Sequence, residues 1–158
     1  MWAWASFTNC KALPARPFTT PVALDNPDLK QRGLDLLEWL LDDETMDGHL
    51  SPTPAGGRGP QDSRPAFDQQ PIEVATLADA CARAAAADPR ALWPDGIRSC
   101  AAWFQGANDS GLVMWDAETG GGFDGLLGEC VNLNQGAEST LAVISTLQHA
   151  QRFSLVPQ

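Results

Sequence analysis

Carboxylate and amide side chains concentrate in two stretches of the sequence, 68–73 and 132–138, and each stretch leads into a predicted helix. Chemistry at a glycosidic bond needs paired carboxylates, one that protonates the leaving oxygen and one that acts as base or nucleophile. The carboxylates in or near these stretches that suit the two roles are Asp68, Asp124 and Glu138. They are the predicted catalytic candidates.

The same part of the sequence supplies groups that bind sugars. Amides and carboxylates hydrogen-bond to sugar hydroxyls, and an aromatic face packs against a sugar ring. The predicted substrate-binding residues are Gln69, Gln70, Glu73, Asn108, Asp109, Trp115, Phe123, Asn132, Asn134 and Gln135. His49 and His149 have no spaced set of carboxylates around them, so neither a metal site nor a cofactor is predicted.

Several of these residues also have an ordinary structural interpretation. If Gln70 caps a helix, Glu73 takes the third helical position, where a capping box places a glutamate. Gln135 and Glu138 repeat that spacing before the last helix. Amides can likewise tie a loop to a helix end, and His49 can be a plain turn residue. Both interpretations stay open at the level of sequence.

Four helices are predicted to position these residues. Apolar spacing and cap signals place them at about 25–43, 71–87, 92–105 and 136–152. Asp25 or Asn26 can cap the first helix, with Pro27 in its first turn. Its predicted apolar stripe comprises Leu29, Gly33, Leu36, Leu37, Leu40 and Leu41, and that of the fourth helix comprises Ala137, Leu141, Ile144, Ser145 and Leu147. No strand is predicted, apart from one rung of a small hairpin over 112–115.

The connections between these helices alternate long, short and long. Because successive antiparallel helices reverse direction, the long loops over 45–70 and 106–134 are expected at the same end of the bundle. Loops of this length are usually functional or disordered, so this end is the predicted site, with inert insertions as the alternative. A near-repeat supports the geometry, since the pattern Q-x-x-E opens both the second and the fourth helix.

Composition limits the classes of partner and compartment. The net charge is −10 and the few Lys and Arg are scattered, so neither nucleic acid nor a membrane is a predicted partner. The four cysteines form no CxxC pair, which predicts free thiols in a cytoplasmic protein. The helical domain is predicted over 25–152, between an irregular, proline-broken lead-in at 1–24, with no signal peptide, and a tail at 153–158.

Four segments together resemble one known family. They are FDQQPIE at 67–73, WFQGAND at 103–109, GGGFDG at 120–125 and NLNQGAESTLA at 132–142, the last being the most specific. They resemble the C-terminal helical domain appended to some bacterial glycosyltransferases, a domain similar to the six-hairpin glycosidase toroids. The resemblance covers 25–152. It implies an (α/α) toroid architecture and a sugar context. With the helices and loops predicted above, the expected fold is all-α, with antiparallel helical hairpins in a partial (α/α) toroid and two long loops on one face.

The resemblance leads to three functional hypotheses. The first is a carbohydrate-active helical domain of a glycosyltransferase system that handles a sugar or oligosaccharide. The second is a glycoside hydrolase-like enzyme with paired carboxylates, and the third is a non-catalytic sugar-binding or interaction module. Two hairpins cannot close a six-hairpin ring, so the first helix is expected to self-associate or to pack on a separate α/β glycosyltransferase polypeptide. A bundle that buries all its apolar stripes by itself is the alternative.

Overall fold

The computed structural model describes residues 26–59 and 61–153, and within these ranges the chain is mostly helical. The helices are α1 Pro27–Asp43, α2 Pro71–Ala87, α3 Leu92–Phe104 and α4 Ala137–Arg152. The all-α class predicted from sequence is confirmed. The predicted lead-in over 1–24, Cys10, and the tail after Phe153 lie outside the described residues. No helix in the described part of the chain has the length and apolar character to cross a bilayer.

Local sequence signals account for most helix ends. Asn26 caps α1, because its Oδ1 accepts a hydrogen bond from the Leu29 backbone N–H at 3.0 Å. Helix α2 begins at Pro71 and ends before the extended residue Asp88, as the sequence predicted. Helix α4 also begins where predicted, but its N-cap is Gly136, so the alternative in which Gln135 caps this helix is wrong. Glu138 therefore occupies the second helical position, so a capping box does not explain it.

The core forms where α2, α3 and α4 pack together, with α1 against α2. Its largest fully buried side chains include Trp93, Trp103 and Phe104 of α3. A Cβ on Gly96 would lie 2.9 Å from Cys81 Sγ, so this glycine lets α3 approach α2 closely. Cys81 and Cys100 are free and buried, as predicted, and Cys130 is free and exposed. Burial raises the pKa of the Cys81 thiol to about 12.

The predicted apolar stripes of α1 and α4 were partly wrong. In α1 the buried residues are Gly33, Leu34, Leu37 and Leu41, whereas Leu29, Leu36 and Trp39 are exposed. In α4 the side chains of Leu141 and Ile144 are exposed at 64% and 44%, and the buried residues are Ser139, Ala142, Val143, Thr146 and Ala150. Both helices carry apolar residues on more than one side, so a helical period fits more than one face.

Two short antiparallel hairpins lie in the long loops, and the sequence did not predict them. Strand β1 Thr45–Met46 pairs with β2 His49–Leu50, and β3 Gly125–Leu126 pairs with β4 Val131–Asn132. Two-residue strands carry no alternation that a sequence pattern can reveal. In the 112–115 segment, where a rung was predicted, Trp115 forms an isolated antiparallel bridge with Gly122.

Candidate functional site

The two long loops meet at one end of the helices. The backbones of Gln69 and Leu126 exchange two hydrogen bonds of 3.0 and 2.9 Å, which join the first loop to the second. Near the starts of α2 and α4, Ile72 and Glu138 line the same groove, and farther along these two helices His149 Nε2 of α4 lies 3.6 Å from Asp79 Oδ1 of α2. Helices α2 and α4 therefore run parallel, and both begin at the end where the loops converge.

Asp124 holds the second loop to the start of α4. Its Oδ1 accepts hydrogen bonds from the Gly136 backbone N–H at 2.9 Å and from Ser139 Oγ at 2.6 Å, and its Oδ2 accepts one from Asn134 Nδ2. Burial works to raise the pKa of Asp124, but the hydrogen bonds from Ser139, Asn134 and Gly136 outweigh it and lower the pKa. Of the predicted catalytic carboxylates, Asp124 thus has an evident structural role.

The amides predicted to bind substrate around Asp124 also hold the second loop in place. Asn132 Oδ1 accepts a hydrogen bond from the Asn134 backbone N–H at 3.1 Å. Gln135 accepts one from Thr119 Oγ1 at 2.7 Å and donates one to Asp116 Oδ2 at 3.1 Å. These side chains therefore order the turn in front of α4.

Asn108 makes a full set of contacts inside the protein. Its Nδ2 donates to the carbonyl oxygens of Trp103 and Leu112, and its Oδ1 accepts from the backbone of Ser110 and Leu112. The Trp115 and Phe123 rings are half-buried and pack against the core. Glu73 is buried on α2.

Asp68 and Glu138 differ from Asp124 in the direction of their pKa shifts. Burial raises the pKa of Asp68, and a hydrogen bond with Gln70 opposes it only partly. Burial and the negative charge of Asp124 both raise the pKa of Glu138. A raised pKa is what a carboxyl group needs to act as a general acid near neutral pH.

The two carboxyl groups differ in their surroundings, because Asp68 is closely packed whereas Glu138 is open to solvent on one side. Asp68 Oδ1 is buried with no hydrogen-bond partner among the described residues, and a Cβ on Gly125 would overlap it. Glu138 lines an open groove of about 680 Å³ between α2 and α4. Its other lining residues are Ile72, Ala75, Leu141, Ala142, Ile144, Ser145 and Gln148.

A chain of buried hydrogen bonds runs beneath the first loop. Fully buried Gln69 donates from Nε2 to Asp109 Oδ2 at 2.6 Å and accepts at Oε1 from Trp103 Nε1 at 3.4 Å. His49 Nε2 lies 2.8 Å from the other carboxylate oxygen, Asp109 Oδ1. From the sequence, His49 was interpreted chiefly as a plain turn residue, and its partner Asp109 lies 60 residues away along the chain. Nothing in the turn residues next to His49 in the sequence predicts its contact with Asp109.

No protein-family model matches the chain, and no curated protein matches it. Within residues 26–59 and 61–153, no group of three His, Cys, Asp or Glu side chains is placed to hold a metal ion. The site is therefore interpreted from its geometry.

The raised pKa of Asp68 predicts an unusual stability effect. A raised pKa in the folded chain means that protonated Asp68 favours folding, a contribution fully present below the ordinary value of 3.8 and lost as pH rises through the folded pKa. At neutral pH the ionised carboxylate therefore costs stability. We expect Asp68→Asn to melt at the same or a higher temperature than the wild type at pH 7. A clear fall in melting temperature would mark Asp68 as a structural residue like Asp124.

Proposed function

We propose that this chain is a carbohydrate-active helical domain of a glycosyltransferase system, which binds a neutral sugar or oligosaccharide at the end where its long loops converge. The observation that carries the proposal is the placement of Asp68 and Glu138 at that end, where Asp68 Oδ1 has no hydrogen-bond partner among the described residues and Glu138 lines an open groove. Burial also raises the pKa of both carboxyl groups. The resemblance of four sequence segments to the helical domains of bacterial glycosyltransferases supports the choice of ligand.

The arrangement of the helices supports a partial (α/α) toroid. Helices α1 and α2 follow one another along the chain, as do α3 and α4, and the second helix of each pair runs parallel to that of the other. Repetition of such a pair of helices builds helical toroids and solenoids. The exposed Leu29, Leu36 and Trp39 on α1 provide an apolar face for a further hairpin or a separate polypeptide.

A sugar titration tests the proposal. A panel of methyl glycosides and oligosaccharides at millimolar concentration is expected to shift backbone NMR signals at the loop end of the wild type. Asp68→Asn and Glu138→Gln are expected to abolish those shifts while the rest of the spectrum stays folded. Glu129→Gln is the matched control, because it removes an exposed carboxylate from the turn between β3 and β4. If no sugar in the panel shifts any signal of the wild type, the proposal is wrong.

A glycoside hydrolase is the second candidate function, and the same two carboxyl groups support it. Their raised pKa values suit one of them to protonate a leaving group. The two candidates differ in product, because a hydrolase releases reducing sugar from the panel and a binding domain does not. Loss of hydrolysis in both Asp68→Asn and Glu138→Gln would establish the hydrolase, whereas binding without release would favour the non-catalytic module.

A further inference from the structure

We propose that His49 and Asp109 form a ligand-binding dyad, in which the buried Asp109 carboxylate fixes the tautomer of His49 and leaves Nδ1 free to accept a hydrogen bond from a ligand hydroxyl. The identity of that hydroxyl as a sugar hydroxyl rests on the proposed function. The dyad itself rests on the contacts around Asp109.

The contacts of Asp109 decide which nitrogen of His49 carries a proton. Only 1% of the Asp109 side chain is exposed, and both of its oxygens are occupied, one by His49 Nε2 and one by Gln69 Nε2. A carboxylate only accepts hydrogen bonds. His49 must therefore donate from Nε2, which leaves Nδ1 of a neutral imidazole as the acceptor.

Gln69 holds the carboxylate in this orientation from behind. Its Nε2 donates both to Asp109 Oδ2 and to the Ala66 carbonyl oxygen, and its Oε1 accepts from the buried Trp103 indole. Reversing the amide would place Oε1 against two acceptors and Nε2 against a donor. The Gln69 backbone is also paired with Leu126. The dyad is thus fixed by surrounding hydrogen bonds before any ligand arrives, which is the usual requirement for a binding or catalytic group.

The free nitrogen of His49 is accessible to solvent. The His49 side chain is 24% exposed. Its Nδ1 has no hydrogen-bond partner among the described residues, and it does not belong to the buried atoms without a partner. The hairpin of β1 and β2 presents this ring, with Asp47 and Gly48 at positive φ in its turn. A side chain that only tied the two loops together would need Nε2 alone. The structure therefore provides an acceptor that no described residue uses.

Two substitutions separate a binding dyad from a structural tie. In His49→Gln, the amide nitrogen can keep the hydrogen bond to Asp109, but no acceptor remains at the Nδ1 position. In Asp109→Asn, the pinned Gln69 Nε2 claims the new amide oxygen, so the amide nitrogen faces His49. His49 Nε2 must then accept, and the ring proton moves to Nδ1.

Acylation by diethyl pyrocarbonate, followed by mass spectrometry, reports the free nitrogen without any sugar. His49 is expected to react in the wild type and about tenfold more slowly in Asp109→Asn, the population ratio that one neutral hydrogen bond from the amide to Nε2 can impose on the two tautomers. His149 in each sample is the internal reference. Equal reaction of His49 in the two chains, relative to His149, would overturn the inference.

The sugar panel then tests the ligand. We expect His49→Gln to retain the wild-type melting temperature and to lose most of the sugar-dependent NMR shifts. Normal sugar binding by His49→Gln would overturn the inference and leave the proposed function intact. If the wild type binds no sugar, the proposed function fails and the sugar hydroxyl named here fails with it, whatever the acylation result.

Discussion

The Gly122→Ala chain is expected to lose about 1 to 3 kcal/mol of unfolding free energy, the usual cost of overpacking a close contact. A Cβ at this position would overlap the Ser139 carbonyl oxygen and would lie 2.8 Å from Val143 Cγ2. The carbonyl belongs to the backbone of α4, so no side-chain rotation relieves the clash. Gly122 also donates its backbone N–H to Thr140 Oγ1 at 3.1 Å, and any shift of the loop weakens that bond.

Urea denaturation followed by far-UV circular dichroism measures this loss. Gly56→Ala is the matched control, because a Cβ there meets nothing within 4 Å. Its expected effect is within about 0.5 kcal/mol, as for other surface substitutions. Equal stability of the two variants would show that the second loop does not lie against α4 as described.

The Asp124→Ala chain is expected to be destabilised by about 1.5 to 3 kcal/mol, the contribution of a hydrogen bond to a charged group. The expected loss is smaller than three separate hydrogen bonds would give, because in the variant the three donors form hydrogen bonds with water instead. Loss of Asp124 leaves Gly136 and Ser139 at the start of α4 without their acceptor. Thermal or urea unfolding of the variant beside the wild type measures the difference, and a difference near zero would contradict this role.

The contribution of Asp124 to stability is expected to depend on pH with a definite sign. The pKa of Asp124 is lowered in the folded chain, so its contribution is present above the ordinary value of 3.8 and is lost as pH falls through the folded pKa. The gap in melting temperature between the wild type and Asp124→Asn is therefore expected to stay wide at neutral pH and to close below pH 3.8. A gap that widens on acidification would contradict this assignment.

Helix positions could be predicted from the sequence because their signals are local. Asn26 and Pro27 lie side by side at the start of α1, and the Ala-rich end of α2 meets Asp88 and Pro89 directly. The face of each helix could not be predicted so well. Leu36 and Leu141 lie at the same helical spacing as buried neighbours, and only the packing of the other helices decides which of them stays in water.

The candidate site could be predicted only as a region. The carboxylates at 68–73 and 132–138 do lie at one end of the helices, because successive antiparallel helices reverse direction and bring every second loop to the same end. Which of them is structural depended on contacts between distant residues. Asp124 reaches Gly136 and Ser139 across a glycine-rich turn, and His49 meets Asp109 from another loop. No spacing in the sequence encodes those pairs, since the intervening loop path is set by tertiary packing.

The buried thiols Cys81 of α2 and Cys100 of α3 report local opening of the core. Thiol reagents attack the thiolate, and burial raises the pKa of both Cys81 and Cys100. Alkylation of either cysteine must therefore wait for the two helices to separate. When the helices close again faster than the reagent attacks, the alkylation rate is proportional to the population of the open state. Exposed Cys130 reacts without any opening and supplies the intrinsic rate of the reagent in the same tube. The ratio of the buried-thiol rate to the Cys130 rate is the equilibrium constant of local opening. Its logarithm gives the free energy of that opening at the centre of the core.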